Sequence, residues 1–328
     1  MTGGPGVHLG LDLGGTNLKW AVVEHDSGDW RVVDRGQERT RATEGPDIVV
    51  TQMSAIARGA IAARPEIATI GIGVPGLYDP ATGSTRFLVN VPGQWDGRPV
   101  AAPIRAEVGL PVALINDARA FGLAELRLGA ARGVDSMIGL TLGTGVGGVI
   151  AIEGRVVLGH DGTAGELGHQ TIDPDGPACN CGNRGCVEAF ARADRIAEAC
   201  GTTSVEEAVA AAGAGDPRAL DGLVRVGTAL GIGIANMITA LSPDRVVIGG
   251  GVAAAGDALF DPIRAELRRR VHTTSLGRVE LVTAQLGTMA GAIGAAIHGM
   301  EVATRATAGE AGARASASSP GVTSGVSR

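Results

Sequence analysis

One local pattern is written twice in this chain: a strand of small aliphatic residues runs into a glycine turn and out into a second strand. Residues 7–24 read VHLGLDL, GGT, NLKWAVVE, and residues 136–153 read SMIGLTL, GTG, VGGVIAIE. The elements downstream of each hairpin repeat as well. After the first, residue spacing predicts a third strand near 31–34, then a helix with Val49, Met53, Ile56 and Ala60 on one face. A strand at 67–74 comes next, then a loop rich in Gly and Pro, a short helix at 101–108, a strand at 111–115 and a helix over about 118–128. After the second hairpin, a strand at 155–158 and an inserted stretch lead to a long helix over about 217–241. A strand at 245–248, a helix over 257–271, a strand at 279–283 and a last helix over about 289–303 complete the copy. The order β-β-β-α-β-α-β-α thus occurs twice, which predicts two similar α/β domains facing each other.

The chain has 328 residues, 45% hydrophobic and 19% charged, enough apolar material for real cores and too little charge for a disordered chain. Aromatics are only 2% and glycines number 53, so Val, Ile, Leu and Ala must build those cores. A net charge of −6 argues against nucleic acid or an anionic membrane as the main partner. Lys19 is the sole lysine, which excludes a phosphate loop built on a lysine head group. No apolar run approaches the ~18–20 residues that span a bilayer. Residues 1–6 carry neither a basic region nor a signal-type apolar core, so a cytoplasmic protein is expected. Residues 304–328 are rich in Ala, Gly and Ser without periodicity and predict a disordered tail.

Two loops, Asp12-Leu-Gly-Gly-Thr-Asn17 and Leu142-Gly-Thr-Gly-Val-Gly-Gly148, occupy matching points of the two copies. A single glycine hairpin is an ordinary turn. A matched pair, each with exposed backbone N–H groups and a hydroxyl (Thr16, Thr144), makes a nest for phosphate oxygens. Asp12 at the end of its strand offers oxygen ligands to Mg²⁺ through water. A dinucleotide fingerprint is excluded, because a strand and not a helix succeeds each loop. Gly249-Gly250-Gly251 comes directly after the strand RVVI; it reads either as a tight strand-to-helix turn or as flat backbone on which a purine lies.

DLGGTN, LGTGVGG, IGGGV and the cysteine segment described below resemble the ROK sugar kinases over about residues 7–303. The resemblance implies two ribonuclease-H-like domains of the actin/hexokinase/Hsp70 type flanking a cleft. Residues 1–117 with a returning helix at about 288–303 would form the first, and residues 118–287, carrying a zinc-binding insertion, the second. It implies ATP and Mg²⁺ as partners, with Asp12, Gly14, Gly15, Thr16 and Asn17 at the first phosphate site and Gly143, Thr144 and Gly145 at the second. Gly250 and Gly251 would lie near adenosine.

Asn116-Asp117 stands where the strand PVALI meets a helix. The pair reads equally as a helix N-cap and as an acceptor site, with the Asn116 amide on a sugar diol and the Asp117 carboxylate taking a hydroxyl proton. Asp117 matches the family's catalytic aspartate. Gly76, Asn90, Glu166, His169 and Glu188 match its sugar-contacting positions. Two departures fall on this acceptor side: Gln94 separates Gly93 from Trp95, and AFARAD comes after Glu188.

His169, Cys179, Cys181 and Cys186 present one imidazole and three thiols. This set suits tetrahedral Zn²⁺ with no open position, hence a structural role in a reducing compartment. Family matches fall on the same four positions. Cys200 lies outside the motif and reads as a buried helix residue. The expected activity is ATP-dependent phosphorylation of a hexose, glucose to glucose 6-phosphate first. Other hexoses, N-acetylmannosamine, cyclitols and polyphosphate as donor remain alternatives. A homodimer or homotetramer is implied by resemblance. A DNA-binding repressor is disfavoured, since Asp12 leaves no room for a preceding helix-turn-helix. An actin-like or chaperone ATPase is disfavoured by the convergent Asn/Asp/Glu/His set.

Overall fold

Strands whose residues are nearly all apolar and small end up covered on both faces, and here they form the centres of two sheets. The computed structural model describes the backbone of residues 5–317 and side chains through residue 308. In the first sheet, β1 (Gly6–Leu13), β2 (Asn17–Asp26) and β3 (Asp29–Arg39) form an antiparallel meander. After helix α1 (Pro46–Ala63), β4 (Ile67–Val74) pairs parallel with β1. A hairpin of β5 (Gly76–Asp79) and β6 (Ser84–Leu88) and helix α2 (Ala101–Val108) precede β7 (Val112–Asn116), which pairs parallel with β4. The strand order is β3-β2-β1-β4-β7, and α3 (Asp117–Arg127) leaves it.

The second sheet repeats this arrangement. β8 (Met137–Leu142), β9 (Val146–Ile152) and the short β10 (Arg155–Val156) are antiparallel. Three helices, α4 (Val187–Ala191), α5 (Ala193–Cys200) and α6 (Val205–Gly213), lie between them and the long α7 (Pro217–Leu241). β11 (Arg245–Gly249), α8 (Asp257–Arg270) and β12 (Glu280–Thr283) complete the order β10-β9-β8-β11-β12, with β8, β11 and β12 parallel. The repeat of order in the sequence is therefore a repeat of topology.

The last helix, α9 (Ala290–Ala317), returns to the first sheet. Its approach is closer than any side chain permits: a Cβ at Gly10 would lie 1.8 Å from the Ala292 carbonyl oxygen, and one at Gly71 1.7 Å from that of Ala295. On the other flank, a Cβ at Gly294 would lie 1.7 Å from the Ala120 carbonyl oxygen of α3. Glycine on both partners thus seats α9 against β1, β4 and α3. Around this seam one apolar cluster joins Ile297 of α9 to residues from both sheets, among them Val23, Ile115, Met137, Val149 and Val247.

Two expectations change. The last helix does not stop near residue 303; it runs to Ala317, across the first part of the segment expected to be disordered, and residues 318–328 of that segment lie outside the described residues. The second concerns membranes. α7 is long and apolar enough to cross a bilayer by length and composition, because its charges, Arg218, Asp221 and Arg225, gather in its first turns. Leu223, Val226, Leu230, Ile234 and Ile238 instead pack in the core of the second sheet with Leu259 and Ile263 of α8.

Candidate active site

Parallel strands bring their C-terminal ends to one edge, where ligands of α/β sheets bind. Asp12 pairs across from Gly73, and Asn116 across from Val74, so Asp12 and Asn116 stand two strands apart, about 10 Å at the usual strand spacing. The first turn of α3 also reaches the second sheet: a Cβ at Gly147 of β9 would lie 2.7 Å from the Ala118 methyl. Asp117 therefore sits between the two glycine hairpins.

The first hairpin is pinned from below. Gly14 N–H donates to the Asn17 carbonyl at 3.1 Å, the Thr40 hydroxyl donates to the Gly14 carbonyl at 2.6 Å, and Thr40 N–H to that of Thr16 at 3.0 Å. In the second hairpin Gly143 N–H donates to the Gly145 carbonyl at 2.9 Å, and the Gly143 carbonyl accepts from Ala193 N–H at 2.8 Å. Among the described residues the N–H groups of Gly15, Thr16, Thr144 and Gly145 have no acceptor. Four donors with no protein partner, on rigid turns, form an anion-binding surface. Gly250, at φ +100°, packs its backbone against Leu142, where a Cβ would lie 1.9 Å from the carbonyl oxygen. The third glycine cluster thus abuts the second hairpin.

Asn116 is a helix cap in fact as well as in prospect. Its Oδ1 accepts from Ala118 N–H at 3.0 Å and Arg119 N–H at 3.2 Å, while its Nδ2 donates to the Gly76 carbonyl at 3.1 Å. Capping consumes its acceptor, so only its second amide hydrogen remains for a ligand. Asp117 Oδ1 accepts from Ala118 N–H at 2.8 Å. Burial, and then the neighbouring Asp12 and Glu166 carboxylates, push the Asp117 pKa up to about 7 against the pull of Ala118 N–H and Arg119. Burial also raises that of Asp12, which Lys19, 3.8 Å away and directly across the β1–β2 ladder, partly offsets.

Asn90 lies just past the β5–β6 hairpin with φ +61°. Its carbonyl oxygen lies where a Cβ on Gly15 would come within 2.1 Å, so the acceptor-side loop rests on the first hairpin. The Glu166 side chain is 43% exposed. One carboxylate oxygen accepts from Arg119 Nη2 at 2.8 Å, and the other lies 3.9 Å from His169 Nε2. His169 Nδ1 in turn is 3.7 Å from Cys179 Sγ. Glu188 is buried: Oε2 accepts from Val146 N–H at 2.9 Å, and the Cys179 thiol donates to Oε1 at 3.6 Å. Glu188 therefore braces the second hairpin against the cysteine segment. That role is not legible in the sequence, where it matches only as a sugar contact.

The ligand atoms of His169, Cys179, Cys181 and Cys186 all lie within 4.8 Å of one another. The donor set and its convergence fit a tetrahedral thiophilic cation. Burial pushes the Cys179 thiol up to about 12. All four cysteines are free of disulfides, and Cys200 is buried on α5, its thiol directed at the Ala219 carbonyl. The structure thus gathers Asp12, both hairpins, Asn116, Asp117, Glu166 and His169 at one edge. Two residues at this edge have no part in the sequence-based site, Lys19 and Arg119. The first is findable from the hairpin register opposite Asp12; the second is not, since a lone arginine in a first helical turn reads as solvated.

Residues 8–300 match the pattern described as the ROK family. Over 307 residues the chain is 34% identical to the glucokinase of Thermotoga maritima, covering 88% of this chain and 95% of that one. The crystal structure of the ROK hexokinase from Thermus thermophilus superposes with a TM-score of 0.81 at 35% identity, covering 91% and 99% of the two chains. That of a ROK family glucokinase from Streptomyces griseus, in complex with glucose and AMPPNP, gives 0.76 at 30% identity, covering 90% and 100%.

Proposed function

Because the chain belongs to the ROK family, we propose that it transfers the terminal phosphoryl group of ATP to a hexose hydroxyl, with glucose as acceptor and glucose 6-phosphate as product. The observation that carries this reading is a carboxylate of raised pKa, Asp117, between two hairpins whose N–H groups lack protein acceptors among the described residues. The Thermotoga maritima and Streptomyces griseus relatives are named glucokinases and the Thermus thermophilus one a hexokinase, and the Streptomyces griseus structure is a complex with glucose and AMPPNP.

Phosphoryl transfer passes through a loose transition state, so positioning and charge neutralisation outweigh proton removal. In this reading Gly15, Thr16, Thr144 and Gly145 hold the nucleotide's phosphate oxygens through backbone N–H groups, which need no reorganisation as charge shifts. Gly250 and Gly251 supply the flat backbone beneath adenosine. Asp117 orients the attacking hydroxyl and accepts its proton late; a pKa near 7 leaves it about half ionised at neutral pH. Asp12 is the carboxylate that would hold Mg²⁺ through water, where the ion would supply neutralisation of phosphate charge. Asn90, Glu166 and His169 meet the sugar's other hydroxyls, and Asn116 holds the turn that presents Asp117.

We read the two sheets as two domains with the cleft between them, closing on the sugar to exclude water. Zn²⁺ bound by His169, Cys179, Cys181 and Cys186 would fix the His169 ring, leaving Nε2 to face the sugar. Free thiols in such a cluster fit a reducing compartment, the cytoplasm. Coupled measurement of ADP release tests the activity over glucose, mannose, N-acetylated hexosamines and cyclitols, with polyphosphate as a rival donor. Release strictly dependent on glucose supports the proposal. ADP release without any sugar would make the protein an ATPase instead.

A further inference from the structure

Arg119 is charged, stands in the first turn of α3, and is only 1% exposed. Its Nε donates to the Ala164 carbonyl at 3.0 Å. Its Nη2 donates to the carbonyls of Thr163 and Ala164 at 2.9 Å each and to Glu166 Oε1 at 2.8 Å. A buried guanidinium is costly unless its donors are satisfied. Here the planar fork meets two backbone carbonyls and one carboxylate together, a set that a lysine's point charge does not reproduce. The α3 turn that carries it is in turn locked by the Asn116 cap on Arg119 N–H.

The segment so gripped is otherwise held by its own turn, with Ala164 N–H on the Leu158 carbonyl and Thr163 on Asp161, and by Gly165 against the Gly148 backbone. Between β10 and the turn containing His169, residues 160–166 have no regular secondary structure, and the Glu166 side chain projects from them half-exposed. One Glu166 oxygen is taken by Arg119, and the other is directed toward His169 Nε2 at 3.9 Å. The carboxylate is thus aimed rather than buried. Asp117 begins the same helical turn, two residues before Arg119.

We propose that Arg119 is a positioning residue for the acceptor: it holds the 163–166 segment, and with it Glu166, in register with Asp117 before any sugar arrives. This rests on the assignment of Glu166 to the sugar side in the proposed function. Arg119 itself touches no substrate. Its contacts run to Glu166 and the two carbonyls, and its charge also draws the Asp117 pKa down, so the KM split, rather than kcat, reports the positioning role.

The test compares Arg119→Lys, Arg119→Met, Glu166→Gln and the Met/Gln double variant in sugar-phosphorylation assays. KM for glucose is expected to rise at least tenfold in both Arg119 variants, with KM for ATP within twofold of the unaltered enzyme. Adding Glu166→Gln to Arg119→Met is expected to change KM for glucose by less than threefold, since residues acting as one unit are not additive. An unchanged KM for glucose in Arg119→Lys, or equal rises in both KM values, would overturn the proposal. Hydrogen exchange on the unaltered protein decides the matter even where variants fail to fold. The 160–168 peptide is expected to be protected before sugar is added; fast exchange that slows only upon sugar binding would refute preorganisation. Absence of sugar turnover in the unaltered enzyme would count against the kinase assignment alone, because that exchange experiment needs no turnover.

Discussion

Replacing Asp117 by Asn should separate chemistry from stability, and in opposite directions. The native carboxyl titrates at about 7 against an ordinary 3.8, chiefly because burial strips it of water and Asp12 and Glu166 add like charge. The folded protein therefore keeps the proton up to about pH 7, while the unfolded chain releases it near pH 4. Stability falls as pH rises between those values and is flat above them. At ~1.4 kcal/mol per pH unit, the charged carboxylate costs the fold up to about 4 kcal/mol at pH 8. Asparagine carries no charge and retains an oxygen for Ala118 N–H, so the variant escapes most of this cost. Thermal unfolding at pH 8 should show Asp117→Asn higher in Tm by on the order of 5 °C, with the gap shrinking toward zero near pH 4. Turnover should fall by at least about 10²-fold, the usual worth of a general base. In the unaltered enzyme kcat/KM should fall about tenfold per unit below pH 7 and level off above it. A Tm gap independent of pH would show that the carboxyl is not strained in the fold. Turnover close to normal in the variant would remove Asp117 from the role of base.

The packing around the site leads to three further outcomes. Gly15→Ala places a methyl 2.1 Å from the Asn90 carbonyl oxygen; overpacking of this kind costs about 1–3 kcal/mol, and calorimetry should find weakened binding of both sugar and nucleotide. Glu188→Ala removes the acceptor of Val146 N–H, and KM for ATP should rise several-fold more than KM for glucose, since the second hairpin loses its brace. Treatment with a strong chelator should lower Tm and raise KM for glucose, with Cys181, the exposed thiol of the cluster, alkylated first in mass spectrometry; an unchanged Tm after complete alkylation of Cys179, Cys181 and Cys186 would show that no metal supports the fold.

Periodicity is enough to draw most of the architecture. The helix at Pro217–Leu241 and the paired glycine hairpins stand where the spacing of Leu, Ile and Val puts them. The β5–β6 hairpin reads as loop in the sequence because Gly76, Pro80 and Gly83 interrupt any strand pattern. The end of α9 is hidden for a related reason: its alanines and glycines carry no apolar stripe, and the polar tail continues the same composition. At the site, Asn116 is legible as a cap from its place just before a helix. It caps α3 and, through that cap, sets the turn bearing Asp117. The roles of Arg119 and Glu188 are beyond sequence reasoning because their partners lie on segments 45 and 42 residues away, joined only by folding.

In the proposed reaction two glycine hairpins hold a nucleotide's phosphates while Asp117 aims an alcohol at the last of them. A crystal structure with glucose and a non-hydrolysable ATP analogue tests it most directly. Phosphate oxygens should lie within hydrogen-bond distance of N–H groups in both the Gly15–Thr16 and Thr144–Gly145 turns, with a glucose hydroxyl on the Asp117 carboxylate. Phosphates bound away from either turn, or a sugar seated with no hydroxyl near Asp117, would contradict it.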